Sequence, residues 1–434
     1  MNYARHRISR ANSGECFRLL LAMMSCGGMF AADANAQTRE SSSGQSQAET
    51  IKKEIAGEPY SINVGPVRAN VGASTSVNYT DNVFYSEDRQ SDVMIEPKVS
   101  LDALYPVSEL NTLRLNLGVS YEWYTQHTSL NAKAPLISPG SELAFNIFVG
   151  DVHLRLYDSF SYEESLFFNS FNGNQPFFNF NNVGTFARLD NKIGTEATWD
   201  LDKYLLTAGY FHENFKSYSA EFDYLDRQSE WFAASAGYRL GDHLMAGVES
   251  RASFNHFDQE TTLNDNWRGR VGPFMEATLL EGVTLRGGGG YDWARYDAEG
   301  ASTSDYDSYY AYARLSQQTR LFTHSLEAGH ETVLGDNANN LRNSYVLYAI
   351  KSSVIEHVDL SADYSMNLNW AQEYGGPSGF NERFIYYQAG GRVGWQFHRN
   401  WRTELGYAYL LKNSDLADRN FQRNRVTVAI IWKF

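Results

Sequence analysis

The last nine residues of the chain constrain its fold more than any other segment. Their side chains alternate on a period of two, and successive side chains of a β-strand point to opposite faces. One face is entirely apolar and consists of Val426, Val428, Ile430, Trp432 and Phe434. Because a strand that ends the chain has no following element to cover its edge, pairing with the first strand of a closed barrel satisfies it best. The pattern predicts a transmembrane β-barrel, with the terminal strand of a soluble sandwich as the alternative.

The other end of the chain has the features of a secretory signal. Arginines precede an apolar run over residues 19–30, and Ala34-Asn35-Ala36 then provides a small-residue cleavage pattern. We therefore expect a signal peptide at residues 1–36 and a flexible periplasmic tail at 37–66, where the composition is polar. The barrel is predicted to span 67–434. Both cysteines lie inside the predicted signal, so no disulfide is expected in the exported protein.

Composition agrees with a membrane protein built from strands. Aromatic residues make up 15% of the chain, although its mean hydropathy is only -0.45. Alternating strands average out in a hydropathy window, and Tyr and Trp form the girdles at the two membrane interfaces. The net charge of -14 argues against a nucleic-acid partner. We expect contacts with outer-membrane lipid and lipopolysaccharide instead.

Period-two runs from residue 67 onward indicate an all-β, antiparallel up-and-down barrel of about 18 strands, within a range of 16 to 18. Connections between the runs alternate between short and long, as periplasmic turns and extracellular loops do in such barrels. The turn at Gly150-Asp151 and the loop at 163–186 are examples. In the runs 306–319 and 344–355 both faces are apolar or aromatic, so the register stays open.

A barrel of 16 to 18 strands is wide enough to enclose water. Charged side chains at inward positions are then the candidates that line the lumen: Glu249, Arg251, Arg268, Arg270, Arg286, Arg402 and Glu404. We expect Arg268, Arg270 and Arg286 to form a basic strip that selects solutes by charge. The alternative is that these groups brace the wall through ion pairs and have no solute preference.

The longest connection contains an unusual set of aromatic residues, namely Phe167, Phe168, Phe171, Phe177, Phe178 and Phe180. Exposed phenylalanines favour burial, so one prediction is that this loop folds into the lumen as a constriction. Aromatic rings interleaved with amides also suit sugar rings. Alternatively, the loop packs on a neighbouring loop, on a second protomer or on lipopolysaccharide.

No enzymatic site is predicted. His212 with Glu213 and His330 with Glu331 are the histidine–acid neighbours closest to strand ends, but alternation places the members of each pair on opposite faces. No nucleophile, base and orienting group can be assembled from the spacing. We likewise expect no metal and no cofactor.

The two ends of the predicted barrel carry a family resemblance. The first strand, 67–79, runs into Tyr79-Thr80-Asp81-Asn82-Val83-Phe84, and the last strand returns through Arg423-Asn424-Arg425-Val426 to Phe434. With these segments the chain resembles the outer-membrane beta-barrel porin type 2 family, which includes barrels encoded in exopolysaccharide operons. The resemblance implies a bacterial outer-membrane barrel of unassigned solute and supplies no catalytic residues.

Two functions are consistent with these features. The first is a porin-like passive channel in the outer membrane of a Gram-negative cell, for small hydrophilic solutes or saccharides. The second is a non-conducting barrel that assists exopolysaccharide export or surface assembly. In either case we expect Trp432 and Phe434 to form the signal that the barrel-assembly machinery recognises.

Overall fold

The computed structural model describes residues 60–164, 186–297, 305–319, 321–352 and 360–434, which form one antiparallel sheet. Strands β1 to β10 are Ile62–Val64, Val67–Thr80, Asp92–Pro106, Thr112–Ser120, Trp123–Tyr124, Leu136–Val149, Val152–Glu163, Arg188–Leu201, Tyr204–Ser217 and Arg227–Gly241. Strands β11 to β20 are Leu244–Phe257, Asn266–Leu280, Val283–Tyr296, Tyr306–Gln318, Phe322–Val333, Asn340–Ser352, Leu360–Tyr374, Asn381–His398, Trp401–Ser414 and Phe421–Lys433. Short 3-10 helices occupy Thr128–Leu130, Ala220–Leu225 and Pro377–Gly379. No helix among the described residues is long and apolar enough to cross a membrane.

The sheet closes on itself as an 18-strand antiparallel barrel, which confirms the predicted fold class. The last strand pairs with β2, for example through Val428 and Val77. Strands β4 and β5 both pair with β3 and together make one strand of the wall. Strand β1 pairs only with the start of β2, so it extends the wall without joining the ring. Its residues, 62–64, fall in the segment that the sequence assigned to a flexible tail.

Alternation along each strand separates an apolar outer face from a polar inner face. On β20 the outward Val428 and Ile430 are 51% and 46% exposed, whereas Thr427 faces inward and hydrogen-bonds Asn78. Aromatic side chains on the outer face form contacts from strand to strand near the long-loop end: Tyr210, Phe232, Phe254, Trp267 and Trp293. Others are exposed near the short-turn end: Trp199, Tyr204, Tyr238, Trp395 and Trp401. The outer face therefore has an aromatic belt at each end of the strands.

The two ends of the barrel differ in the length of their connections, as the sequence predicted. Tight turns join the strands at the end where β2 begins and β20 ends. Gly150 and Gly282 have positive φ angles of 58° and 73° in two of these turns, a conformation that glycine adopts without steric cost. At the opposite end, connections such as 81–91 and 125–135 are longer and fold on themselves.

One seam in the wall is only partly paired. Strand β14 pairs with β15 from Gln318 as far as Ala311, whose partner is His330, and the pairing ends there. Beyond this point side chains bond to the main chain of β15. The Tyr306 hydroxyl donates to the Thr332 carbonyl oxygen at 3.4 Å. The upper half of this seam thus relies on side chains, whereas the seams on either side of it have a backbone ladder.

Candidate functional site

The seven charged residues predicted to line the lumen all lie on the inner face of the wall. They are distributed as Glu249 and Arg251 on β11, Arg268 and Arg270 on β12, Arg286 on β13, and Arg402 and Glu404 on β19. Their positions alternate with exposed apolar side chains such as Val248 and Met275. What each charge can do depends on its partners, because a buried charge without a partner is costly.

Arg286 bridges four strands. Its Nη1 donates to Glu276 Oε2 at 3.1 Å, its Nη2 to Glu249 Oε2 at 3.3 Å and its Nε to the Tyr312 hydroxyl at 3.3 Å. The guanidinium also lies 4.6 Å from the centroid of the Phe274 ring. Such a network holds β11 to β14 together from the inside.

Two tyrosines of β14 complete this network. The Tyr310 hydroxyl donates to Glu249 Oε1 at 3.3 Å and the Tyr312 hydroxyl to Glu249 Oε2 at 2.9 Å. Both side chains reach across β13 because glycines lie there. A Cβ on Gly288 would lie 2.8 Å from the Tyr312 ring, and one on Gly290 would lie 2.1 Å from a backbone oxygen of β12. Gly288 therefore makes room for the Tyr312 ring, and Gly290 lets the backbones of β12 and β13 approach closely.

These tyrosines were missed by the sequence reasoning because the register of their strand was open. Tyr309 points outward and is 59% exposed, whereas Tyr310 points inward and is 3% exposed. On β16, Tyr345 points inward and donates to Glu327 Oε1 at 2.9 Å. The signal that could have fixed the β14 register is the glycine run on β13, since large inward side chains need a flat neighbouring strand.

Other arginines on the inner face are also paired. Arg270 Nη1 lies 3.0 Å from Glu331 Oε2. Arg402 Nε donates to Glu404 Oε1 at 2.8 Å, and Arg392 Nη1 donates to the second oxygen of Glu404 at 3.3 Å. These contacts fit the alternative that the charges brace the wall.

Arg268 has a different environment from the rest of the predicted basic strip. It is 8% exposed, and its Nη2 donates to the Asn339 carbonyl oxygen at 3.1 Å and to Asn340 Oδ1 at 2.8 Å. Arg268, Arg270 and Arg286 thus each have their own acceptors and do not present three free charges. Their described contacts favour bracing over a common basic strip.

Arg251 is the exception among the seven. It is exposed on the inner face of β11, and the described part of the chain offers its guanidinium no hydrogen bond and no ion pair. The Arg251 side chain faces the lumen at mid-height of its strand.

The loop predicted to form a constriction falls outside the described residues. This holds for all six of its phenylalanines, Phe167, Phe168, Phe171, Phe177, Phe178 and Phe180. Other long connections are described at the same end of the barrel, and they pack inward.

The connection between β15 and β16, residues 334–339, which we call the mouth cap, lies across the lumen. Its Leu334 packs on a buried cluster formed by side chains from other parts of the mouth: Phe186, Phe215, Leu225, Phe257 and Leu263. Asn339 and Asn264 exchange two hydrogen bonds of 2.9 Å. Because Asn264 belongs to the β11–β12 loop, the cap joins connections that are not adjacent in the ring.

Carboxylates hold the centre of the mouth cap. Glu373 on β17 accepts hydrogen bonds from the backbone nitrogens of Asp336 at 2.7 Å and Asn337 at 2.6 Å. Burial raises the pKa of the Asp336 carboxyl well above its usual range, and the nearby Glu373 raises it further. Asp336 is also within electrostatic reach of Arg227 and Lys412, which come from opposite sides of the ring. The described mouth loops therefore narrow this end of the lumen.

The histidines near the strand ends do not form a catalytic arrangement in the described residues. His212 points outward, with Nδ1 2.9 Å from Glu230, whereas the adjacent Glu213 is buried on the inner side beside Lys192. In the same described part, no group of three or more His, Cys, Asp and Glu side chains could hold a metal ion.

Comparison with known proteins gives matches to solved structures only. No family model matches the chain, and no curated protein matches it. The chain is similar to OpdK of Pseudomonas aeruginosa, with a TM-score of 0.45 and 10% identity over 84% of this chain and 99% of that one. It is also similar to OccK2 (OpdF) of the same organism, solved in complex with glucuronate, with a TM-score of 0.49 and 11% identity over 87% of this chain and 100% of that one. For a BenF-like porin from Pseudomonas fluorescens Pf-5, the TM-score is 0.48 and the identity 10%, over 86% of this chain and 100% of that one. The strand pairing of the chain itself establishes its fold.

Proposed function

We propose that this protein is a bacterial outer-membrane channel that passes small hydrophilic solutes, saccharides among them, after export by its N-terminal signal. The observation that carries the proposal is the closed barrel with opposite faces: apolar residues and two aromatic belts outside, ion pairs and an exposed guanidinium inside. Hydrocarbon requires a closed ring because it cannot satisfy free strand edges. Charges of the density seen inside need water or ion pairs.

Planar-bilayer recording of the refolded chain lacking residues 1–36 tests this proposal. A channel gives stepwise currents whose amplitude scales with salt concentration. Addition of a neutral sugar should lower the current if saccharides enter the lumen. A folded protein that inserts into the bilayer without any current steps, even after the mouth cap is opened as described below, contradicts the proposal.

The mouth cap is the observation that favours the second function, a non-conducting barrel that serves polysaccharide export. A variant in which Gly-Ser replaces residues 335–338 separates the two. If the native chain is silent but this variant conducts, the cap is a closure within a channel. If both are silent, the non-conducting function is favoured.

A further inference from the structure

Two arginines face each other on adjacent strands of the inner wall. In the register of β11 and β12, Arg251 lies directly opposite Arg270. Side chains in this position have Cβ atoms about 4.5–5.5 Å apart, and like charges there destabilise each other. Arg270 repels the Arg251 guanidinium, while Glu331 and Glu249 attract it without a direct contact. A negative group between the two guanidiniums would convert this repulsion into attraction.

Among the described residues, only one of the two arginines has a carboxylate in direct contact. Arg270 has Glu331 at 3.0 Å. Glu249, the nearest inward carboxylate on the strand of Arg251, already accepts from Arg286, Tyr310 and Tyr312. Arg251 makes no hydrogen bond or ion pair with the described residues, whereas Arg270 and Arg286 each contact a carboxylate.

The wall beside Arg251 leaves room for a solute. Its opposite neighbour on β10 is Ala233, which is exposed, and the neighbour of Ala233 on β9 is Gly209. A Cβ on Gly209 would meet nothing closer than 3.9 Å. The guanidinium therefore borders open space flanked by two small residues, and the next side chain in this row is Glu196, which is paired with Arg155.

We propose that Arg251 binds an oxyanion group of a solute in the lumen, a carboxylate or a phosphate, with Arg270 assisting from the opposite strand. A guanidinium presents a planar fork of donors that fits two oxygens of such a group at once. This inference rests on the proposed channel function, because it names a class of solute for the same lumen. It gives the channel a preference for anionic over neutral solutes of equal size.

Isothermal titration of the folded barrel lacking residues 1–36 in detergent tests the site without requiring conduction. The probes are inorganic phosphate and acetate, added at constant ionic strength in chloride. Saturable binding is expected in the native chain. Arg251→Gln should weaken it by at least about tenfold, since it removes charge-assisted hydrogen bonds. The affinity of Arg251→Lys should lie between those of the native chain and Arg251→Gln, because an ammonium group keeps the charge but lacks the planar, two-pronged donor geometry of guanidinium.

Arg314→Gln is the matched control, since Arg314 is also inward-facing but is bound to Glu327 at 2.6 Å. It removes the same charge and should keep phosphate binding within about twofold, as it leaves the proposed donors in place. Unchanged affinity in Arg251→Gln, or equal loss in both variants, overturns the site. Retention of the shifted gel mobility of unheated barrels shows that each variant is folded.

Bilayer recordings then separate the site from the channel function. Binding that depends on Arg251 in a protein that passes no current would support the site and contradict the channel. Current steps together with phosphate binding that is unchanged in Arg251→Gln would support the channel and contradict the site.

Discussion

Arg268 shows how a single inward charge can hold a loop in place. Its guanidinium donates to the Tyr296 hydroxyl at 2.7 Å and to acceptors of Asn339 and Asn340. These acceptors are neutral, so the arginine is a structural donor and not part of a salt bridge. Because it is almost fully buried, loss of its hydrogen bonds leaves polar atoms without water.

We predict that Arg268→Met lowers the free energy of unfolding by roughly 1–3 kcal/mol, the cost of unsatisfied buried polar groups. Urea unfolding in detergent, followed by tryptophan fluorescence, measures it. Arg295→Met is the control, because Arg295 forms an exposed pair with Asp307 on the outer face. Exposed pairs contribute about 0–1 kcal/mol. Equal destabilisation in the two variants would show that the buried hydrogen bonds of Arg268 do not stabilise the barrel.

Strand β13 illustrates how one element sets the shape of its neighbours. Its glycines bring the backbones of β12 and β13 into close contact and give the β14 tyrosines a flat surface. The space available for an added Cβ differs from one glycine to the next, so a glycine of β13 can be compared with a glycine elsewhere in the wall.

We expect Gly290→Ala to destabilise the barrel by about 1–3 kcal/mol, as overpacked sites do. Its Cβ would lie 2.1 Å from a backbone oxygen that cannot rotate away. The matched variant Gly209→Ala, with its nearest neighbour at 3.9 Å, should cost little. Comparing the fraction of folded protein on unheated gels across a temperature series decides the matter. A tolerated alanine at 290 would be inconsistent with this packing.

The mouth cap is an element whose stability should depend on pH. An acid with a raised pKa holds its proton more tightly in the packed cap than in an opened loop. The packed cap therefore gains stability as the pH falls through the raised pKa of Asp336, and the gain is complete below its ordinary value of 3.8. Raising the pH ionises Asp336 beside Glu373 and weakens the cap.

Single-channel recordings across this pH range should show longer closures toward acid pH in the native chain. Asp336→Asn, which mimics the protonated acid, should close for longer at neutral pH and lose most of the pH dependence. Asp258→Asn changes an exposed loop carboxylate and should behave like the native chain. A pH response that survives in Asp336→Asn would assign it to another group.

Sequence alone predicts those elements whose pattern is local. Alternation predicts the faces of β20, and the parity of β11 and β12 predicts inward positions for Glu249 and Arg270, which lie on the inner face in the structure. Contacts between distant strands are not local. Arg268 and the Asn339 carbonyl are 71 residues apart, and the sequence around either residue does not predict their hydrogen bond. Tyr309 and Tyr310 were ambiguous because tyrosine suits both lipid and lumen, so only the neighbouring glycines decide which one points inward.

At the scale of the whole molecule, closure depends on the pairing of β2 with β20. The chain ends at this seam, where the Phe434 nitrogen donates to the Val71 carbonyl oxygen at 2.9 Å. The Phe434 side chain is 51% exposed on the outer face and packs against Trp432. The backbone of Phe434 thus helps to close the ring, while its side chain lies on the outer face.

We predict that Phe434→Ala reduces the amount of barrel assembled in the outer membrane severalfold but leaves refolding in detergent unchanged. An exposed ring contributes little to a folded wall that lipid or detergent already covers. Val428→Ala, at an equally exposed outward position, is the control and should assemble normally. Equal loss in cells and in refolding would mean that Phe434 acts on stability and not on recognition.

The half-paired seam between β14 and β15 makes the cylinder unequal around its circumference. Beyond Ala311 and His330, the backbone amides that point across this seam have no carbonyl partner on the neighbouring strand, so we expect deuterium to enter there first. Strands whose amides exchange early should also be the first to separate on heating or under force. If the cylinder ever splits along its length, the tear should start between these two strands and travel toward the tight turns.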